Sequence, residues 1–113
     1  MTRNDIIASV DITRPNLVSE DTKLHWLEVL EKQIHSHMTQ FGESDVSISE
    51  ETLLLPQEYK DMYVYYVVSM IDLANQDIAM YNNSCAFFNQ MFLSWQKKWR
   101  RDHMPSQSKT GGV

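Results

Sequence analysis

The stretch MYVYYVVSMI, residues 62–71, decides the fold. Only Ser69 in it is polar, so a helix formed by this stretch is apolar nearly all round and must be buried on most sides. Two arrangements meet that requirement. Either another chain covers apolar surface that a 113-residue domain leaves open, or the stretch is the central helix of a small bundle. It is too short to cross a bilayer, which needs about 20 residues.

A second long helix follows the apolar stretch. We predict one helix from about Gln57 to Asn75 and another from about Asp77 to His103, with Pro56 at the start of the first. Asn75-Gln76-Asp77 is the one candidate break between them, so the two form an αα-hairpin or a single bent helix. The hairpin is the preferred interpretation.

The last helix combines an apolar seam with a stripe of uncharged amides. The seam has alternating spacings of three and four, and Met80, Phe87 and Met91 widen it. Its members are Ile78, Tyr81, Cys85, Phe88, Phe92, Trp95 and Trp99. The amides that recur every seven residues are Asn75, Asn82, Asn89 and Gln96, with Asn83 and Gln90 beside them. Neutral amides can bond across a wet interface without the desolvation cost of charge, so the stripe indicates either a subunit contact or an Asn-rich solvent face.

Two further helices are predicted upstream. Asn4 is a candidate cap for a short helix over residues 4–12, which ends at RPN (14–16). Ser19 caps the next helix, and Gly42 ends it. Its apolar stripe consists of Leu24, Leu27, Leu30, Ile34, Met38 and Phe41. The opposite face, with Lys23, Glu28, Glu31 and Lys32, is expected to be solvated.

These elements define the fold class as all-α, a small bundle of about four helices with a long C-terminal αα-hairpin. Residues 42–51 are polar, with a weak alternation at Val46 and Ile48, and are expected to be a flexible loop or a short strand. One helical domain is predicted over residues 1–105, and residues 106–113 form a flexible tail.

Charge is unevenly distributed along the chain. Residues 1–76 carry five basic and thirteen acidic groups, a net −8, whereas residues 77–113 carry five basic and two acidic groups, a net +3. Four of the basic groups lie together in KKWRR, residues 97–101. A net acidic protein is a poor non-specific DNA binder. The asymmetry favours a basic end that meets an acidic partner, a second copy or phosphates.

No arrangement of residues typical of catalysis or metal binding occurs. Cys85 is the only cysteine, which excludes an intrachain disulfide, and it is expected to be a small core residue. The four histidines are scattered, and Glu31 with His35 is read as a surface pair. Asp72 is the one carboxylate in an apolar setting, and we expect a cap or a polar contact at the hairpin. We therefore predict no cofactor and no metal, and an enzyme is the class that the residues support least.

Several motifs resemble a known family. They are LLLP (53–56), YKDMYVYYVVSMIDLANQDIAMYNNSCAFFNQMF (59–92), HMP (103–105) and DIIASVDITRPNLVSEDTKLHWLEVLE (5–31). Together they resemble the small head-tail connector proteins, also called adaptor or head-completion proteins, of tailed phages that infect Gram-positive bacteria. The resemblance extends over residues 4–105. Gln76 stands where the family often has glycine, the loop 42–51 is short for the family, and the end of the last helix is more basic.

The resemblance implies an all-α structural protein of the virion neck. Such proteins form a ring, usually taken as twelvefold, beneath the portal protein, and they assemble in the bacterial cytoplasm. The ring extends the channel through which genomic DNA passes without specific recognition, and it is the seat for a head-closure (stopper) or tail-completion protein. No membrane is involved. The resemblance also makes the C-terminal segment a portal-docking element, so residues 97–113 are expected to become ordered only on assembly.

Two sets of residues are predicted to make these contacts. The subunit interface is predicted to contain Tyr59, Tyr63, Tyr66, Asn82, Asn83 and Asn89. Portal docking is predicted to involve Lys97, Lys98, Arg100 and Arg101. The alternative function is a small helical regulatory module that binds one protein as a monomer or dimer. A DNA-binding protein acting through KKWRR is the third, and it predicts an affinity for duplex DNA that falls steeply with salt.

Overall fold

The computed structural model describes residues 1–42 and 45–103. These residues form four helices and no strand, which confirms the all-α class. The helices are α1 (Arg3–Thr13), α2 (Glu20–Gln40), α3 (Lys60–Ala74) and α4 (Ile78–His103), with a 3₁₀ turn over Gln57–Tyr59 ahead of α3. The described part of the 42–51 loop contains neither helix nor strand. The predicted tail, residues 106–113, lies outside the described residues.

The two N-terminal helices begin at side-chain caps. The cap of α1 is Thr2, so the prediction of Asn4 was wrong. The Thr2 hydroxyl accepts a hydrogen bond from the Asp5 N–H, and the Asp5 carboxylate accepts one from the Thr2 N–H. This reciprocal pair satisfies two backbone donors, which the exposed Asn4 side chain does not. The prediction of Ser19 as the cap of α2 is confirmed, since its hydroxyl accepts from the Thr22 N–H.

Helix α3 is the central helix of the bundle. It contacts α1, α2 and α4, and Leu53 and Leu55 of the preceding segment belong to the same core. Within α3, all of which the structure describes, Leu73 at its end is the one large apolar side chain that is exposed. The chain therefore covers this helix itself. Of the two arrangements that the sequence left open, the structure shows the central helix of a small bundle. No second chain is needed to bury residues 62–71.

The predicted hairpin between α3 and α4 is confirmed. The two helices pack antiparallel, and residues 75–77 join them through a Schellman turn. The Gln76 N–H donates to the Leu73 carbonyl, and the Asp77 N–H donates to the Asp72 carbonyl. Gln76 has a φ of 57°, in the left-handed region that favours glycine. The turn thus forms although its left-handed position is occupied by Gln rather than Gly.

We expect Gln76→Gly to stabilise the protein by about 1 kcal/mol or slightly less. A left-handed φ costs an L-residue about 1–2 kcal/mol, part of which the greater freedom of glycine in the unfolded chain cancels. Chemical denaturation of both proteins measures the difference. Asn75→Gly is the matched control, because Asn75 has an ordinary φ of −82° and should lose stability. Equal losses in both variants would contradict the conformational explanation.

Two charged residues predicted to be solvated are buried. The prediction was wrong for Lys23 and Glu31, which lie on the flanks of α2 that α1 and α3 cover. The Lys23 ammonium is 2.7 Å from an oxygen of the half-exposed Asp11 carboxylate. Glu31 is fully buried, and its carboxylate accepts hydrogen bonds from the Tyr63 hydroxyl at 2.6 Å and from the Leu54 N–H at 2.8 Å. Both charges are therefore paired or hydrogen-bonded, as burial requires.

The end of α4 extends past the start of α3 and packs on the end of α2. The His37 ring nitrogen Nε2 is 3.2 Å from the Gln96 carbonyl, and the Arg100 guanidinium lies 5.5 Å from the centre of the Phe41 ring. Residues 97–103 are helical in the chain alone. The expectation that they become ordered only on assembly was therefore wrong for these residues, and residues 104–113 lie outside the described part.

Candidate interaction surfaces

The inner side of α4 is an aromatic row that holds the helix on the rest of the bundle. Tyr66 contacts Phe88, Phe88 stacks on Phe92, and Phe92 contacts Trp95, with ring centres 5.0, 5.3 and 5.8 Å apart. Trp95 also contacts the ring of His37 at 5.1 Å. Most of the predicted seam therefore faces inward. Its first member, Ile78, does not, because it lies at the turn and is exposed.

The outer face of α4 carries no charge along most of its length. Residues 78–96 contain no Asp, Glu, Lys or Arg, although ten of these nineteen residues are exposed. The exposed set, called here the outer face, is Ile78, Ala79, Asn82, Asn83, Ala86, Phe87, Asn89, Gln90, Leu93 and Ser94. A solvated helix face normally carries Glu and Lys, because both are good helix formers and soluble. An uncharged face of this length is typical of a surface that meets another protein.

Small and apolar residues lie between the amides of the outer face. Ala79, Ala86 and Leu93 recur every seven residues, so they share one side of the helix. The amide recurrence was predicted from the sequence and this second one was not, although it has the same spacing of seven residues. Phe87 and Leu93 are more than half exposed. Small side chains allow a close approach of another helix, and the amides can bond across it.

The predicted subunit-contact residues do not form one patch. Asn82, Asn83 and Asn89 are exposed on the outer face. Tyr63 has no exposed surface and is bound to Glu31, so it is not available to a partner and is dropped from the set. Tyr66 is half-buried under Phe88.

Tyr59 lines a cleft between the start of α3 and α4. The cleft has a volume of about 340 Å³. Its floor includes the buried Met62 and Trp95, and Met91 lies beside them. Lys98 is part of its lining, so the cleft joins apolar surface to the basic end of α4. The cleft was not predicted from the sequence, because the two segments that line it, 58–62 and 90–98, are far apart in the chain.

The predicted portal-docking residues form a basic end at the last turns of α4. Lys97, Lys98, Arg100 and Arg101 are all exposed. The Lys98 ammonium is 2.6 Å from a carboxylate oxygen of Asp102, which raises the pKa of Lys98 and lowers that of Asp102. With four basic groups and one acidic group, residues 97–103 carry a net charge of +3 when histidine is neutral.

Three titratable groups inside the bundle have pKa values that burial shifts. Burial raises the pKa of Glu31, against the opposing hydrogen bonds from Tyr63 and Leu54. Burial, and then the Glu31 charge, raises the pKa of Tyr63. Burial also lowers the pKa of His37. Neither Glu31 nor Tyr63 reaches solvent, so this pair fixes the 53–55 segment against α2 and α3.

Asp72 makes a polar contact at the hairpin, as predicted. Its carboxylate accepts two hydrogen bonds from the Arg14 guanidinium, at 2.8 and 3.2 Å, and one from the Ser84 hydroxyl at 2.8 Å. This triad ties the end of α1 to both helices of the hairpin. Cys85 was predicted to be a small core residue. It is half-buried rather than in the core.

Among residues 1–42 and 45–103, no three or more His, Cys, Asp or Glu side chains gather where they could hold a metal ion. Nor does any helix of this part have the length and apolarity to cross a membrane. Comparisons with family models, with curated proteins and with solved structures found no match.

Proposed function

We propose that this protein is a structural, non-enzymatic assembly protein, and specifically a head-tail connector of a tailed phage. It forms a ring under the portal protein, extends the DNA channel and is the seat for the head-closure or tail-completion protein. The observation that carries the assembly role is the uncharged outer face of α4, nineteen residues long with ten exposed. The identity of the partners rests on the motifs over residues 4–105 that resemble the connector family.

Each surface has a role in this proposal. The outer face, with Asn82, Asn83 and Asn89, makes the contact between neighbouring subunits, and Tyr59 borders it in the cleft that Gln90 and Ser94 also line. The basic end, through Lys97, Lys98, Arg100 and Arg101, docks on the portal. A net charge of −5 lets DNA slide through the channel, because few phosphates would be neutralised. The protein would act in the neck of the virion after assembly in the host cytoplasm.

One observation favours the second candidate, a regulatory module that binds a single protein as a monomer or dimer. The central helix α3 is covered by its own chain, so the monomer has a complete core. Its partner would then lie on the outer face of α4 in place of a neighbouring subunit.

Light scattering across protein concentration, followed by a pull-down on the portal protein, tests the proposal. We expect either a large closed oligomer or a monomer that saturates the portal with the stoichiometry of a ring. Ala86→Lys should abolish ring formation, because it places a charge in the middle of the outer face. A monomer or dimer that does not change with concentration and has no affinity for the portal would contradict the connector and favour the regulatory module.

Ala8→Lys is the matched control for Ala86→Lys. Ala8 is likewise an exposed alanine inside a helix, so the two substitutions change helix propensity and charge alike. Only the position differs, since Ala8 lies on α1. Loss of the ring in both variants would show a general effect of charge and would remove the outer face from the proposal.

A further inference from the structure

The hairpin end of the bundle presents an apolar knob on a fixed loop. Leu17 is fully exposed in the loop between α1 and α2. Asn16 fixes this loop: its side-chain amide donates to the Arg14 carbonyl at 2.8 Å, and its side-chain oxygen accepts from the Val18 N–H at 3.0 Å. The bonds from Arg14 to Asp72 bring the loop to the end of α3. Leu17 is thus held in place without being buried, which lowers the entropic cost of inserting it into a partner.

Acidic groups without an ion-pair partner in the described part of the chain lie at the same end of the bundle as Leu17. Arg14 and Lys23, the basic residues nearest to it in sequence, are paired with Asp72 and Asp11. Exposed Glu20 and Asp21 at the start of α2, and Asp77 in the hairpin turn, form no ion pair with any cation of the described residues. Exposed Leu73 and Ile78 flank the same turn. The hairpin end is therefore apolar and negatively charged.

The opposite end of the molecule has the complementary chemistry. The antiparallel hairpin places the basic end, residues 97–103, away from the turn in a molecule 54 Å long. There the cleft of about 340 Å³ offers the apolar side chains of Met62, Met91 and Trp95, and its charged lining consists of Glu58 and Lys98. The exposed Lys97, Arg100 and Arg101 beyond it leave this end net positive. Two hairpin ends would repel each other, as would two basic ends, so charge favours only contact between unlike ends.

We propose that in the free protein the hairpin end of one copy docks on the basic end of a second copy, with Leu17 entering the cleft. The contact is heterologous, so it builds chains of copies rather than closed pairs. It goes beyond the proposed function and uses the same basic end as portal docking. The two contacts therefore exclude each other, and the portal would release copies from these chains.

Light scattering of the full-length protein at about 0.01 M and about 1 M salt tests the contact, because the screening length falls from about 30 to about 3 Å. We expect the mass to rise with protein concentration at low salt and to fall at high salt. A ring held by the uncharged outer face would not respond to salt in this way.

Leu17→Ser should abolish the rise in mass at low salt. The substitution removes no buried contact, so the variant should fold like the wild type. Ile12→Ser, at another highly exposed apolar residue, is the matched control and should leave the rise unchanged.

A charge exchange gives the second test. Glu20→Lys with Asp21→Lys makes one variant, and Lys97→Glu with Arg101→Glu makes the other. Each alone should lose the rise in mass at low salt, and an equimolar mixture should regain it. An unchanged mass in Leu17→Ser, or no recovery in the mixture of folded variants, would overturn the contact. Portal binding is measured separately. Portal binding without salt-dependent chains of copies would contradict only this inference. Salt-dependent chains without portal binding would contradict only the proposed connector function.

Discussion

Replacing Arg14 by Met is expected to lower the free energy of unfolding by about 3 kcal/mol. The substitution leaves the Asp72 carboxylate, whose side chain is only 3% exposed, with the Ser84 hydroxyl as its remaining side-chain donor. A buried charge without its partner is far more costly than the pair itself is stabilising. Urea denaturation followed by circular dichroism measures the effect.

Lys23→Met is the matched control for this prediction. It removes the same charge from a similarly long side chain, one that is more buried than that of Arg14, and it leaves Asp11, whose side chain is 48% exposed. Water can solvate that carboxylate, so we expect a loss of about 1 kcal/mol or less. Equal losses in the two variants would show that burial of the aliphatic stem, and not the unpaired Asp72, determines the cost.

Tyr63→Phe is expected to cost about 2–3 kcal/mol, because it deletes a hydrogen bond to a fully buried carboxylate. Glu31 would keep only the Leu54 N–H, and the Leu55 N–H, 3.3 Å from the Tyr63 hydroxyl, would lose its acceptor. Tyr66→Phe is the control on the same helix. No hydrogen bond of the Tyr66 hydroxyl is formed within the described residues, so its loss should be small.

The cost of Tyr63→Phe should also depend on pH. Burial already raises the pKa of Glu31 above the ordinary value of 4.5, and the Tyr63 hydroxyl opposes that rise. Removing the hydroxyl raises the pKa in the folded state further, so the variant gains more than the wild type when Glu31 takes up a proton. The difference in unfolding free energy is therefore largest at neutral pH and shrinks as the pH falls towards 4.5. A difference that is constant over this range would exclude an ionised Glu31 as the cause.

The sequence predicts the helices of this protein well, because their signals are local. The apolar stretch 62–71, the Ser19 cap and the break at Asn75–Asp77 are each legible within a few residues. The burial of residues on the flanks of α2 cannot be predicted from such local signals. Lys23 and Glu31 occupy positions that read as a solvated face, and only the docking of α1 and α3 buries them. Their partners are 12 and 32 residues away, beyond the reach of any pattern within one helix.

For the candidate surfaces too, periodicity within one helix predicts some exposed residues and fails for others. Four amides of α4, Asn82, Asn83, Asn89 and Gln90, are exposed together, since helical periodicity fixes which residues share a face, whereas Gln96 of the same recurrence is half-buried. The tyrosines of α3 were assigned to a surface because tyrosine is common at interfaces, yet periodicity cannot tell which side of a nearly all-apolar helix faces solvent. The prediction therefore failed for Tyr63, which is buried, while Tyr59 and Tyr66 are only partly buried.

The triad of Arg14, Asp72 and Ser84 also predicts an order in which the parts of the chain fold. The bond between Asp72 and Ser84 closes a loop of 12 residues, whereas the bond between Arg14 and Asp72 spans 58. Short loops close faster, so we expect the α3–α4 hairpin to form first and the N-terminal helices to dock on it afterwards. Amide protons of α1 should accordingly exchange with solvent through openings that leave the hairpin intact.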